Sequence, residues 1–324
     1  MSTPPTRAFV LGAGLGTRLR SLTETRPKPL VPLYHKPLIT FAFDHLTASG
    51  VESFIVNTHH CPVAYERLLG AAGGSAVYCG RSVTLRHEPI LLDTGGGIKN
   101  IEGLVAGSDS FIVYNGDVLA DFPLTPLIEA HQAGGHIATL ALRSSGGPLQ
   151  IQCNRSTGMV TDIRGALGGH TDPAFLFSGI SILSPEIFAR IPDGGPVSII
   201  PVYLDILRSG GGIGAVVIDE GLWIDLGTRN AYMDAHHLLA SGSSRPSHTE
   251  PGWPSPVHSS AQVHRDARLE GTVAIGPGTV VGTGAVIKDS IIWENAHIES
   301  GARLERCIVR EGCTVEGSHC DEDL

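Results

Sequence analysis

Short apolar runs alternate with segments of helical period from Ala8 to about Ala240, the pattern of strands joined by crossover helices. The runs predict strands at Ala8–Leu11, Ser53–Asn57, Ser110–Asn115, Ile137–Leu142, Phe175–Leu183 and Gly214–Ile218. Helical spacing predicts helices at Pro37–Ser49, Leu124–Ala133, Ile199–Arg208 and Arg229–Leu239. The expected class is α/β, with a mostly parallel sheet over residues 1–240. Residues 241–256 are rich in Ser, Pro and Gly, lack a hydrophobic period and read as a linker.

Beyond the linker the period changes. Val257, Val263, Leu269, Ile275, Val281 and Ile287 are six apart; steps of five, six, six, five and six then reach Ile292, Ile298, Leu304, Val309 and Val315. A six-residue aliphatic repeat stacks short strands into a β-helix whose aliphatic side chains share one narrow core. An ordinary meander would alternate every two residues instead. The coil is assigned to 257–317, and 318–324 is expected to be a tail.

Composition narrows the functions open to such a chain. Its 324 residues, 42% of them hydrophobic, suffice for one large and one small domain. A formal charge of −9 argues against a surface built for nucleic acid or anionic membrane, so any phosphate site must be local. No apolar run reaches the roughly 18 residues that span a bilayer, and Gly12 and Gly14 cut short the one after Arg7; neither a signal peptide nor a membrane span is expected, and a cytoplasmic location is. Cys61, Cys79, Cys153, Cys307, Cys313 and Cys320 form no CxxC pair and are read as reduced thiols. The histidines, His59-His60 and His236-His237 included, lack zinc-site spacing.

The strand Ala8–Leu11 ends in Leu11-Gly12-Ala13-Gly14-Leu15-Gly16-Thr17-Arg18, where an α/β sheet presents its ligand crevice. Gly12, Gly14 and Gly16 allow a polyphosphate close to backbone N–H groups. Arg18 can fork onto β and γ phosphates, and Lys28, between Pro27 and Pro29 in an extended backbone, suits charge building on an α-phosphate. Arg20 and Arg26 read as solvated surface charges. Asp117, after Phe111–Asn115 and Gly116, and Asp225, in Trp-Ile-Asp-Leu-Gly-Thr, stand at strand ends where hard oxygen ligands suit magnesium; the alternative for an acid there is a cap or turn. Asp93 and Asp121 are further candidates, Asp121 as a cap for the helix near Leu124. Glu88-Pro89 and Asp93-Thr94-Gly95-Gly96-Gly97 read as a second glycine turn leading into a helix.

The run GxGTRLxxLTxxxPKPL over Gly14–Leu30 resembles the signature of sugar-nucleotide pyrophosphorylases. Together with Thr94-Gly-Gly-Gly-Ile, Asn115-Gly-Asp-Val, Phe177-Ser-Gly-Ile-Ser and Trp223-Ile-Asp-Leu-Gly-Thr, it is similar to N-acetylmuramate 1-phosphate uridylyltransferases and to mannose and manno-heptose 1-phosphate guanylyltransferases, over residue 8 to about 240 with gaps. The resemblance implies a Rossmann-like nucleotidyltransferase domain and a left-handed hexapeptide β-helix. It implies a magnesium-dependent transfer from a nucleoside triphosphate, UTP or GTP, to a hexose, amino-sugar or heptose 1-phosphate, with release of pyrophosphate. Implied catalytic residues are Arg18, Lys28, Asp117 and Asp225, the two aspartates holding magnesium. Leu11, Gly12, Ala13, Gly14, Gly16, Thr17, Arg18, Thr94, Gly95 and Gly96 would bind nucleotide, and Glu88, Asn115, Gly116, Ser178 and Gly179 would face the sugar.

Two features depart from that pattern. Many family members carry Glu-Lys-Pro after the central hairpin, where Thr161-Asp-Ile-Arg-Gly-Ala stands here, and the muramate enzymes lack a β-helix. A non-catalytic, nucleotide-sugar-binding regulatory subunit of the same fold is the alternative, and retention of Arg18, Lys28, Asp117 and Asp225 argues for an enzyme. Acyl transfer by the coil would need a long groove and a protruding loop beside His258, His264 or His297; assembly, including a homo-oligomer, or regulation is the expected role.

Overall fold

The computed structural model describes residues 4–168, 171–242, 245–249 and 252–324, Arg20 without its side chain. The reading of Arg20 as a surface charge, and the linker positions Ser243, Ser244, Glu250 and Pro251, lie outside the described residues. The chain divides into two compact units: the residues up to Leu15 with Phe41–Ile224, and Gly16–Thr40 with Asp225–Leu324. Compactness therefore does not divide the chain at residue 240.

The first unit is built on a ten-stranded sheet. Its strands are β1 (Arg7–Leu11), β2 (Ser53–Thr58), β3 (Ser75–Tyr78), β4 (Arg81–His87), β5 (Phe111–Asn115), then, past a short strand β6 (Val118–Ala120) that lies outside the sheet, β7 (Ala138–Arg143), β8 (Ile151–Asn154), β9 (Met159–Ile163), β10 (Ala174–Leu183) and β11 (Ile213–Val217). They run β8-β9-β11-β7-β10-β5-β1-β2-β4-β3 across the sheet. β5, β1, β2 and β4 are parallel neighbours, as are β7 and β11. However, β10 lies antiparallel between β5 and β7, and β3, β8 and β9 also pair antiparallel. The sheet is thus mixed, correcting the mostly parallel expectation. Most of β10 is buried and its sequence is largely apolar, the signature that a buried parallel strand also carries.

Helices α1 (Leu38–Ala48), α2 (Pro62–Leu69), α3 (Asp93–Asn100), α4 (Thr125–Gly134) and α5 (Ile199–Arg208) follow strands of this sheet or lead into them. The strongly periodic elements lie where the sequence placed them, α5 to the residue. Strand β4 escaped because it alternates with polar residues and buries only Val83, and α2 because it buries only Tyr65. One core cluster gathers Phe9, Ile98, Phe111, Leu140, Leu183 and Ile206 from the sheet and from α3 and α5.

In the second unit, α6 (Arg229–Ala240) precedes three parallel sheets that the chain visits in turn, the arrangement of a parallel β-helix. The repeat sets the register: Val263, Val281, Ile298 and Val315 align in one sheet, Leu269, Ile287 and Leu304 in the second, and Ile275, Ile292 and Val309 in the third. Leu269, in the first coil, remains 37% exposed, whereas the repeat positions from Ile275 to Val315 are buried. Residues 318–324, expected as a tail, continue the coil. Ser318–Cys320 pairs with Arg303–Glu305, and Leu324 N donates to Ile308 O (2.8 Å). Within the expected linker, Trp253 meets Tyr34 edge-on (6.2 Å between centroids), and a His35 ring nitrogen bonds Ser255 O (2.9 Å).

His131 ties α4 to the sheet through Thr139 on β7 (2.9 Å) and Ser184 after β10 (3.2 Å). Burial, helped by His136 and opposed by Glu186, lowers its pKa from 6.5 to about 4. The unfolded chain takes up that proton near pH 6.5 and the folded chain only near 4, so this contribution is complete above 6.5 and declines as the pH falls through that window. Urea midpoints measured from pH 7 to 4 should fall, and His131→Gln should flatten that slope; an equal slope in the variant would assign the acid sensitivity elsewhere.

Candidate functional site

β1 delivers the glycine loop to the end of the parallel strands, where the first unit holds its beginning firmly. Gly116 N donates to Leu11 O (3.0 Å), and Gly12 N donates to Asn57 Oδ1 (2.7 Å). Asn57 Nδ2 in turn donates to Glu88 Oε1 (2.8 Å), and Glu88 Oε2 accepts Leu92 N (3.1 Å). The Tyr65 hydroxyl donates to Gly12 O (2.7 Å). A Cβ on residue 12 would lie 2.7 Å from Asn57 O and 2.9 Å from that hydroxyl, so this approach requires glycine. Gly12 therefore uses its N–H inside the fold, whereas the sequence reading had it aimed at phosphate; Ala13 is buried beside it, and Gly14 is exposed.

Several first-unit residues take roles other than those expected. Glu88, assigned to the sugar, is fully buried and braces Asn57 and the start of α3. Gly95, Gly96 and Gly97 form no turn but lie inside α3, which begins at Asp93. There the missing side chains admit Val197 O and Gly195 O, each within 3 Å of where a Cβ would be on Gly95 and Gly96. Thr94, half-buried, is the second residue of that helix. Ser178 is buried, its Oγ accepting Ile180 N (3.3 Å) and its carbonyl accepting Trp223 Nε1 (2.8 Å). Gly179 backs onto the half-buried Asn115, and Gly116 onto Leu11.

Asp117 follows Gly116 and is half-buried. Burial first, and then its negative charge, push the Tyr65 phenol well above 10, which ties Asp117 to the start of the loop. The α4 N-terminus takes no side-chain cap, so the capping role considered for Asp121 is not filled. In place of Glu-Lys-Pro, Asp162 closes a turn: its carboxylate accepts the N–H groups of Ile163, Leu167 and Gly168 (2.6, 3.0 and 3.1 Å).

The second unit carries the cationic part of the loop. Gly16, at φ +65°, reverses the chain into a 3-10 helix over Thr17–Thr23, and its carbonyl accepts Leu19 N (2.9 Å) and Thr23 Oγ1 (3.0 Å). Thr17 and Arg18 are exposed on this helix. Lys28 is wound into a 3-10 turn, Lys28–Leu30, rather than extended as expected; Pro29 sits where no N–H is needed. Both cations converge on Asp225: Lys28 Nζ lies 3.3 Å from Oδ1, and Arg18 Nη2 3.6 Å from Oδ2. The Lys28 side chain is 6% exposed and that of Arg18 64%, so the lysine is fixed and the arginine remains accessible. A Cβ on Gly227 would fall 2.6 Å from Arg18 Nη2; glycine lets the guanidinium lie across the backbone just past Asp225. The exposed Arg18 guanidinium presents five N–H donors in a planar fork, which suits a phosphate or a carboxylate.

The family model for nucleotidyl transferase matches residues 7–148, and that for the GMPPB C-terminal domain matches 254–321. The chain is 31% identical to the mannose-1-phosphate guanylyltransferase of Mycobacterium tuberculosis over 86% of its length and 77% of that protein's. It is 33% identical to the N-acetylmuramate alpha-1-phosphate uridylyltransferase of Caulobacter vibrioides over 74% of its length and 99% of that protein's. The corresponding enzyme of Neisseria meningitidis is 32% identical over 72% and 99%.

The chain belongs to the sugar-1-phosphate nucleotidyltransferases. In this nucleotidyltransferase no helix among the described residues is long and apolar enough to cross a membrane, and no three His, Cys, Asp or Glu side chains among them gather as a metal cage. Magnesium needs no such cage, because that ion takes one or two carboxylates and completes its shell with waters and substrate phosphates.

Asn57 and Tyr65 escaped the sequence reading, although Asn57 lies in a correctly predicted strand, one residue before its end. Asn57→Ala would leave the buried Gly12 amide without its acceptor and Glu88 Oε1 without its donor, while Oε2 keeps Leu92 N; the amide alone should cost about 1–3 kcal/mol. Chemical denaturation of the variant should show that loss; stability equal to wild type would mean that water replaces the amide side chain.

Proposed function

We propose that this enzyme transfers the guanylyl group of GTP to mannose 1-phosphate, giving the nucleotide sugar and pyrophosphate. The observation that carries the reading is the coil: its matching domain model is the GMPPB C-terminal domain, and the similarity to the M. tuberculosis guanylyltransferase covers 86% of the chain. UTP with N-acetylmuramate 1-phosphate is the second reading, favoured by the match to almost the full length of the C. vibrioides protein. The hexapeptide spacing supports a left-handed wind for the coil.

The chemistry needs alignment more than a base, because a sugar phosphate is already ionised near neutral pH. Its oxygen attacks the α-phosphorus, the bond to the β-phosphate oxygen breaks, and pyrophosphate carries the electron pair away. Lys28, fixed by burial and by Asp225, places its ammonium on the α-phosphate. Arg18, the exposed cation, takes the leaving pyrophosphate. Asp117 and Asp225 would hold magnesium, which supplies charge neutralisation on the polyphosphate when bound.

Pyrophosphate release should be measured with magnesium for GTP and UTP crossed against mannose, glucose, N-acetylmuramate and manno-heptose 1-phosphates. Release with GTP and mannose 1-phosphate is expected; release only with another pair overturns the substrate reading, and silence across the panel with nucleotide sugar still bound favours a regulatory subunit. With the active pair, Lys28→Ala should lower kcat by about 100-fold or more, with a smaller change in nucleotide affinity. Asp117→Asn and Asp225→Asn should each abolish turnover while the protein remains folded, and full activity in either would remove that residue from the metal site.

A further inference from the structure

Arg26 precedes Lys28 by two residues and was expected to be a solvated surface charge, yet its side chain is only 13% exposed. Its guanidinium donates through Nη1 to Glu294 Oε2 (3.2 Å), through Nη2 to Glu294 Oε1, and also to Glu311 Oε2 (2.6 Å). It also lies 4.8 Å over the Trp293 ring. Burial works against its charge, but hydrogen bonds and attraction from Glu294 and Glu311 outweigh that and raise its pKa. All three partners belong to the coil.

Other contacts bind the same segment. Arg310 donates to Ser21 O (3.3 Å) and Glu24 Oε2 (3.2 Å). Asp323 accepts Ser21 Oγ (3.3 Å) and Arg229 Nε (2.7 Å). Trp293 Nε1 donates to the Tyr232 hydroxyl (3.1 Å), which donates to Pro32 O. These contacts fall at Ser21, Glu24, Arg26 and Pro32, on both sides of Lys28 and just past Arg18. Between Thr17 and Leu30 the segment's only regular elements are 3-10 turns, whose hydrogen bonds are poor, so it owes its shape to what it is fastened to.

We propose that the coil holds the cationic segment of the active site in place, with Arg26 as a positioning residue that acts through Glu294, Glu311 and Trp293 on the placement of Lys28 and Arg18. The proposal rests on the reading of Lys28 and Arg18 as phosphate-handling groups. Removing the carboxylates would leave a mostly buried guanidinium without its charge partners, and the segment would move to hydrate it. Such displacement lowers turnover through misalignment rather than through lost substrate contacts.

The test compares the full-length wild type with Glu294→Gln/Glu311→Gln, with the charge exchange Arg26→Glu/Glu294→Arg, and with Glu305→Gln, which breaks the exposed Lys288–Glu305 pair elsewhere on the coil. Hydrogen exchange at the Leu19, Leu30 and Val31 amides reads the segment without any substrate. In the double glutamine variant it should quicken about tenfold while the His297 amide, inside the coil, keeps its rate. With the substrate pair that wild type turns over, kcat should fall about tenfold and KM change less than about twofold, with partial recovery in the charge exchange. Glu305→Gln should match wild type in every measurement. Unchanged exchange at the three amides, equal acceleration throughout the coil, or faster exchange with kcat intact would each overturn the proposal. If wild type turns over no pair, the functional reading fails by itself, and the exchange measurement still decides whether the coil fastens the segment.

Discussion

Asn57 supplies the acceptor for the Gly12 N–H and the donor for one Glu88 oxygen, while the other Glu88 oxygen holds the N-terminal approach to α3. An amide is suited to this place because one side chain presents both an acceptor and a donor, whereas a buried carboxylate or amide without a partner costs several-fold more than the bond it replaces is worth. The chain of bonds sets the start of the glycine loop against β2, and it places Tyr65 on the Gly12 carbonyl. Glu88 thus acts on the loop through another residue, from a fully buried position.

The cationic half of the loop obeys a different constraint. Arg18 and Lys28 share Asp225, whose carboxylate offsets the repulsion between the two cations. Their neighbourhood is built from short 3-10 turns that cannot hold a geometry alone. The coil supplies what those turns lack, through the buried Arg26 and through Tyr232 and Trp293, whose hydroxyl and indole are both satisfied within the unit. A solenoid is suited to such bracing because each coil is fixed by its neighbours and presents side chains at set intervals.

Local pattern made much of the molecule legible. Apolar periodicity located β1, β2, β5, β10 and α5, because a buried face leaves a mark on every second or every third to fourth residue. The six-residue aliphatic spacing gave the coil and its register from Ile275 to Val315, and Gly14–Leu30 pointed to the family, because its glycines and cations stand at short, fixed separations. Strand direction left no such mark: β10 is largely apolar and buried, as a parallel strand would be, and only its neighbours β5 and β7 make it antiparallel.

What the tertiary structure alone decided is who meets whom across long stretches of chain. Arg26 and Glu294 are 268 residues apart, and Gly12 and Asn57 are 45 apart. A charged or polar side chain looks the same in sequence whether it faces water or a buried partner, so Arg26 read as solvated and Glu88 as sugar-facing. The glycines of α3 read as a turn because their actual cause, the close passage of Val197 and Gly195, lies about 100 residues further along the chain. Sequence records the faces that water and period select; the pairing of polar groups follows from burial, which only the folded chain defines.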